Sequence, residues 1–173
     1  GAYKPGSALF SVINNTPQTF QRVDMSFDLS RTDGGIVDTD SVPIFYLMAG
    51  QQTYITVNYS SANESIIDFT ITDYAVTSVE HDPSVTYKDV SQKVTVTLDR
   101  EMNRYTVTNT TQKKIYTSLQ LRFYRQDELV AVRNYSNYLR KGATKTSSYT
   151  VGSSVIYDTI EPVIIAYYSK QNK

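Results

Sequence analysis

Tyr46-Leu47-Met48-Ala49-Gly50 and Tyr138-Leu139-Arg140-Lys141-Gly142 spell the same Tyr-Leu-x-x-Gly twice in one chain. Other landmarks return with it. Phe10-Ser11-Val12-Ile13-Asn14-Asn15-Thr16 comes back as Tyr105-Thr106-Val107-Thr108-Asn109-Thr110-Thr111. The alternating Met25, Phe27, Leu29, followed by Asp33, becomes Leu119, Leu121, Phe123, followed by Asp127. Ile36-Val37 becomes Leu129-Val130, and Ile71-x-x-Tyr74 is matched by Ile165-x-x-Tyr168. The offsets stay between 92 and 95 residues. Landmarks recurring in one order at a nearly fixed period signal a duplicated unit, and small loop insertions account for the drift. The expected domains are residues 1–82 and 83–173, because His81-Asp82-Pro83-Ser84 interrupts the pattern between them. The second copy opens with an alternating stretch at 94–98 and a turn at 100–103, whereas the first has only residues 2–7 in that place. The first strand of copy one is therefore expected to be degenerate, missing or supplied from elsewhere.

Around these landmarks the chain reads as strands and turns. Val23, Met25, Phe27 and Leu29 alternate with Asp24, Ser26 and Asp28. The same period-two pattern runs through Ile55/Val57/Tyr59, Ile67/Phe69/Ile71, Val94/Val96/Leu98 and Leu119/Leu121/Phe123. Such runs have one apolar and one polar face, as antiparallel strands wet on one side do. No 3.6-residue stripe of helical length is visible. Turn signals separate the runs: Asn14-Asn15-Thr16-Pro17, Asp33-Gly34-Gly35, Ala49-Gly50, His81-Asp82-Pro83 and Lys141-Gly142. Many short strands at this spacing imply an all-β sandwich or barrel.

Asn14-Asn15-Thr16, Val23-x-Met25-x-Phe27-x-Leu29, Asp33-Gly34-x-Ile36-Val37 and Ala49-Gly50 together resemble the FxLYD-type domain. Asn109-Thr110-Thr111, Leu121-x-Phe123-Tyr124 and Asp127 fit the same frame in the second copy. Ser30 and Arg31 stand where that motif has Tyr and Asp, and copy two has Leu121 for Phe, Arg125 for Asp and Glu128 for Gly. The resemblance implies two tandem immunoglobulin/fibronectin-like antiparallel β-sandwich domains. It also implies a surface accessory role in a bacterial envelope, with no catalytic residues to transfer.

The totals narrow the chemistry. With 17 Lys+Arg against 17 Asp+Glu and no net charge, the 173-residue chain lacks the basic footprint of a nucleic-acid binder. The absence of Cys excludes disulfides, thiolate metal sites and cysteine nucleophiles. No run approaches the ~20 apolar residues of a membrane span. Gly1 reads as a processing or cloning remnant, so a trimmed export signal and an extracellular or cell-envelope location are expected. His81, the one histidine, is placed in the linker as a solvated residue, which leaves a catalytic triad without its base. Asp24/Asp28 and Asp38/Asp40 are the carboxylate pairs available for metal or glycosidase chemistry; the first falls on the solvated face of a strand, and the second sits just after a strand, where calcium could be held but no EF-hand spacing supports it. No metal, cofactor or catalytic residue is expected.

Asn-x-Ser/Thr occurs at Asn14, Asn58, Asn63, Asn109 and Asn134. The matched pair Asn14 and Asn109 points to turn-capping side chains rather than glycan acceptors. Tyr is abundant, at 15 residues, and Tyr135, Tyr138, Tyr149, Tyr157, Tyr167 and Tyr168 crowd copy two. Asn134-Tyr135-Ser136-Asn137-Tyr138 is the best candidate for an exposed contact patch, with Asn134, Tyr135, Asn137 and Tyr138 as its surface, since Tyr offers rigid area carrying a hydroxyl. The expected role is non-catalytic: an adhesion, docking or spacer module meeting protein or glycan at the cell surface. A carbohydrate-binding module using exposed tyrosines, and a viral or pilus-like structural subunit assembling through an open strand edge, are the alternatives.

Overall fold

In a computed structural model the described residues are 4–31, 36–61 and 69–172. Val, Ile, Thr and Tyr crowd the pleats, and the described residues are all-β apart from a three-residue 3-10 turn at Ser91–Lys93. Contacts divide it into two units, Gly1–Pro83 and Ser84–Lys173. The first holds β1 (Lys4–Ile13), β2 (Phe20–Arg31), β3 (Ile36–Leu47), β4 (Gln52–Ser61) and β5 (Phe69–Glu80). The second holds β6 (Val85–Asp89), β7 (Val94–Asp99), β8 (Arg104–Asn109), β9 (Ile115–Arg125), β10 (Glu128–Leu139), β11 (Thr144–Ser148) and β12 (Thr159–Gln171).

All pairings are antiparallel. The first unit has a β1-β4 pair and a β3-β2-β5 sheet; the second has a β11-β8-β7 sheet and a β10-β9-β12-β6 sheet. Alternation decides the core, as the sequence pattern predicts. Val23, Met25, Phe27 and Leu29 are buried in β2, and Leu119, Leu121 and Phe123 in β9. In each unit one apolar cluster draws on both sheets: Phe27 of β2 with Val57 of β4, and Leu121 of β9 with Val107 of β8. The β9–β10 hairpin turns on Gln126 and Asp127, both at positive φ (49° and 65°), the type I′ geometry that matches strand twist. The expected turn Asp33-Gly34-Gly35 lies outside the described residues.

The two units share one pairing plan. β8 pairs β11 as β1 pairs β4, and β9 pairs β10 and β12 as β2 pairs β3 and β5. They also share a hydrogen-bond network. Asn14 directly follows β1, and its Nδ2 donates to the carbonyls of Gln18 (2.8 Å), Leu47 (3.2 Å) and Met48 (3.0 Å). Its Oδ1 accepts from Thr16 N (3.1 Å) and Thr16 Oγ1 (2.7 Å). Asn109 ends β8 and repeats this with Lys113 (2.8 Å), Leu139 (3.2 Å) and Arg140 (2.9 Å). Its Oδ1 accepts from Thr111 N (2.9 Å) and Thr111 Oγ1 (2.7 Å). Both asparagines are buried, at 4% and 0% exposure. Tyr-Leu-x-x-Gly completes the corner. The Gln51 and Ala143 amides close turns onto the Met48 and Arg140 carbonyls, both at 3.0 Å. Gly50 and Gly142 sit at φ 74° and 68°, which L side chains adopt only with strain.

Residues 4–7 belong to β1 and pair with 58–61 of β4, so among the described residues the first unit has no separate first strand, one of the expected outcomes. One landmark differs from the sequence pattern. Ile71 lies opposite Leu29, whereas it is Ile160 that lies opposite Phe123, so the register matches Ile71 to Ile160 and not to Ile165. Two bulges in the β2–β5 ladder, which the β9–β12 ladder lacks, change the offset along β5 from 89 residues at Ile71 to 87 at Val79.

Asn14→Ala and Asn109→Ala should each destabilise its own unit by about 2–3 kcal/mol, because several buried partners lose their bonds at once. Hydrogen exchange resolved by peptide should place the first loss in β1–β5 and the second in β6–β12. Tyr149 is 2% exposed and its hydroxyl has no protein hydrogen-bond partner. Burial, then the neighbouring Tyr157, holds its phenol above the usual tyrosine range. A raised folded pKa gives stability that is complete below the unfolded value near 10 and is lost as pH climbs through the folded value. Tyr149→Phe should therefore shift alkaline unfolding to higher pH, measured by circular dichroism.

Candidate functional site

Strand alternation splits the four residues expected to form one patch. Residues directly opposite in an antiparallel pair share a face. Asn137 faces Thr117 and Tyr135 faces Leu119, so both stand on the core side of the sheet. The Tyr135 ring packs on Tyr105 at 4.9 Å, and its hydroxyl accepts from Thr150 N at 3.2 Å. The Asn137 amide nitrogen is buried. Tyr138 and Asn134 lie on the outer face, opposite Tyr116 and Gln120. The expectation of a single patch is corrected: only Tyr138, at 67% exposure, and Asn134 reach solvent on that side.

The outer face carries two arrangements that the register creates. Tyr138 of β10, Tyr116 of β9, Tyr167 of β12 and Tyr87 of β6 form a row with centroid separations of 5.0, 5.1 and 5.4 Å. One tyrosine comes from each strand in sheet order, and Lys114 Nζ lies 5.6 Å from the Tyr138 ring centroid. The interplanar angles are 65°, 44° and 83°, so the rings pack edge to face and tilted. That geometry satisfies the rings mutually rather than building the flat platform a sugar ring stacks on. Tyr167, inside the row, is 4% exposed. Beside the row runs a polar chain. Gln120 Nε2 donates to Asn134 Oδ1 (2.9 Å), Arg122 Nε donates to Gln120 Oε1 (2.9 Å), and Arg122 Nη1 lies 3.6 Å from Glu161 Oε1.

Tyr116 and Tyr87 were not legible as part of a surface. Tyr116 reads as one of β9's polar-face residues, and only strand order brings Tyr87 alongside Tyr167. The remaining tyrosines of the crowd serve the core: Tyr149 is buried, and Tyr157 and Tyr168 pack against the same cluster.

The carboxylate pairs are engaged within the sheet. Asp24 accepts from Ser78 Oγ (2.7 Å) and Arg22 Nε (2.9 Å), which hold its carboxyl below the usual range, the Ser78 bond most. Asp28 accepts from Thr39 Oγ1 (3.0 Å), and Asp40 accepts from Ser41 N (2.9 Å). The Asp38 side chain lies outside the described residues. Among the described residues no three His, Asp or Glu side chains gather as a metal site. His81 is exposed, with Nδ1 3.0 Å from the Thr19 carbonyl. A carbonyl only accepts, so this contact holds the Nδ1–H tautomer. The ring also meets Phe20 edge-on at 6.4 Å. Searches against known protein families, curated proteins and solved structures give no match.

The sequons fall into two kinds. Asn14 and Asn109 are buried with amide and carbonyl both bonded. Asn134 is exposed on the outer face, while Asn63 and the Asn58 side chain lie outside the described residues. Folded protein made in an N-glycosylating host should carry no glycan at Asn14 or Asn109, as read by peptide mass spectrometry. A glycan on either would contradict the network.

Proposed function

We propose that the chain is a non-catalytic spacer and docking module of the extracellular or cell-envelope kind, built from two tandem immunoglobulin-like sandwiches of FxLYD type. The observation that carries this reading is the atom-for-atom repetition of the buried asparagine network. What the two units hold in common is a fold-building corner, while their outward side chains differ. A module selected for its shape keeps its corners and varies its surface. The three-plus-four strand arrangement of the second unit fits the immunoglobulin-type plan.

Docking is assigned to the outer face around Tyr138 and Lys114, where an exposed ring backed by Tyr116 gives rigid contact area. Protein is the favoured partner over glycan because the tilted rings do not form a platform. Arrays of surface proteins and of glycans, probed with the chain and with Tyr138→Ala, test this. The expected result is retention on protein spots that Tyr138→Ala weakens by about tenfold or more, as for a central aromatic contact. Glycan retention abolished by Tyr138→Ala would favour the carbohydrate-binding alternative instead. A spacer should also unfold under force in two separate events, one per unit, each releasing up to ~3.6 Å per residue.

A further inference from the structure

The second unit contains two strands, β6 and β7, that have no counterpart among the described residues of the first. β7 pairs with β8, setting Val94 opposite Asn109, Val96 opposite Val107 and Leu98 opposite Tyr105. Val94 is buried, and Val96 and Leu98 pack on the core. β8 thus has a neighbour on each side, β7 and β11. Its counterpart β1 has β4 on one side and, among the described residues, no strand on the other. The positions matching Asn109, Val107 and Tyr105 are Asn14, Val12 and Phe10.

Burial records the same difference. Val79, Val76 and Tyr74 lie opposite Val23, Met25 and Phe27, so they stand on the core-facing side of β5. They are nevertheless 51%, 55% and 62% exposed. By register their matches in β12 are Ala166, Ile164 and Pro162. Ala166 is fully buried and Ile164 packs on the core cluster, while Pro162, the match of Tyr74, is itself exposed. Phe10 of β1 and Tyr74 of β5 approach at 5.9 Å, so the open edge of β1 adjoins the bare face of β5.

We propose that this junction forms a groove that accepts a strand, and that its occupant is an extended polypeptide segment with the chemistry of β7. Such a segment alternates valine or leucine with threonine-like residues and carries no charge over its central five positions, as 94–98 do. Its backbone would extend the β1 ladder along residues 9–14. Its apolar side chains would cover Val12, Tyr74, Val76 and Val79, as Val94, Val96 and Leu98 cover the second unit. The second unit identifies the occupant, since it is the same plan with the place filled. The proposal rests on reading the two units as copies, and the spacer role would stand without it.

The test adds a synthetic peptide with the sequence of residues 90–100 to the full chain. Binding is read by calorimetry, and protection by peptide-resolved hydrogen exchange. The expected result is saturable one-to-one binding. At about ten times the dissociation constant, exchange in β1 and β5 should slow about tenfold, with β8 and β12 unchanged. Val76→Lys sits at an exposed position, so the chain should fold with normal exchange in β2 yet lose the binding. A peptide with serine at the positions of Val94, Val96 and Leu98 should not bind. Four outcomes would overturn the proposal: no binding to the folded chain, equal binding of the serine peptide, protection confined to the second unit, or concentration-dependent protection of β1 and β5 without peptide. The last would assign the groove to a second copy of the chain.

Discussion

One buried primary amide holds each unit's two sheets together. Asn14 belongs by its backbone to the β1–β4 pair, where its N–H bonds the Gln51 carbonyl at 2.9 Å. By its side chain it belongs to the other sheet, bonding carbonyls at the end of β3 and just before β2. An unpaired amide in this position would cost about 1–3 kcal/mol. Here two N–H groups meet three carbonyls and the oxygen accepts two donors, so little capacity is wasted. Aspartate could not donate, and serine could not span the same partners. The requirement is for the shape and polarity of asparagine, and it recurs at Asn109 with matching distances. The glycine that follows is part of the same constraint, because the chain must reverse at Met48–Gln51 to pass from one sheet to the other.

The amide fixes a corner but not the number of strands, and there the units part. In the second, Val90 and Val94 join the buried cluster, and Ser91 Oγ accepts the Ala166 amide at 2.9 Å. These contacts cover β12. In the first, β5 has the inward alternation of a core strand and the exposure of a surface one. Exposed edges with apolar neighbours invite pairing with other chains. Asp73 and Glu80 bracket the bare residues and interrupt the apolar stretch at both ends.

Much of this was legible in the sequence, and the reasons for success and failure are physical. Period-two alternation reports burial directly, so β2 and β9 could be read residue by residue. The corner was legible because its glycine and asparagine are chemically required and therefore recur. Strand order was not, since alternation says which way a side chain points but not which strand lies beside it. For that reason adjacency in sequence groups Tyr135 with Tyr138 although they face opposite ways, and leaves Tyr116 and Tyr87 unmarked. The bulges that change the offset along β5 leave no mark in hydrophobicity.

The magnitudes explain how one plan can give a closed unit and a receptive one. Full burial of a valine-sized side chain is worth about 1.5–3 kcal/mol, so covering three half-exposed ones on β5 offers only about 3 kcal/mol. Ladder bonds add roughly 0.5–1.5 kcal/mol each. Association of separate molecules costs an estimated 4–15 kcal/mol, so a free strand would bind the first unit weakly and exchange readily. A strand joined to the unit by a short turn avoids most of that cost. β7 is in this situation, linked to β8 through residues 100–103, with Asp99 Oδ1 accepting from the Glu101 and Met102 amides at 3.1 Å. Connectivity, more than any difference in side-chain chemistry, therefore separates a core that is closed in the second unit from a groove that stays open to exchange in the first.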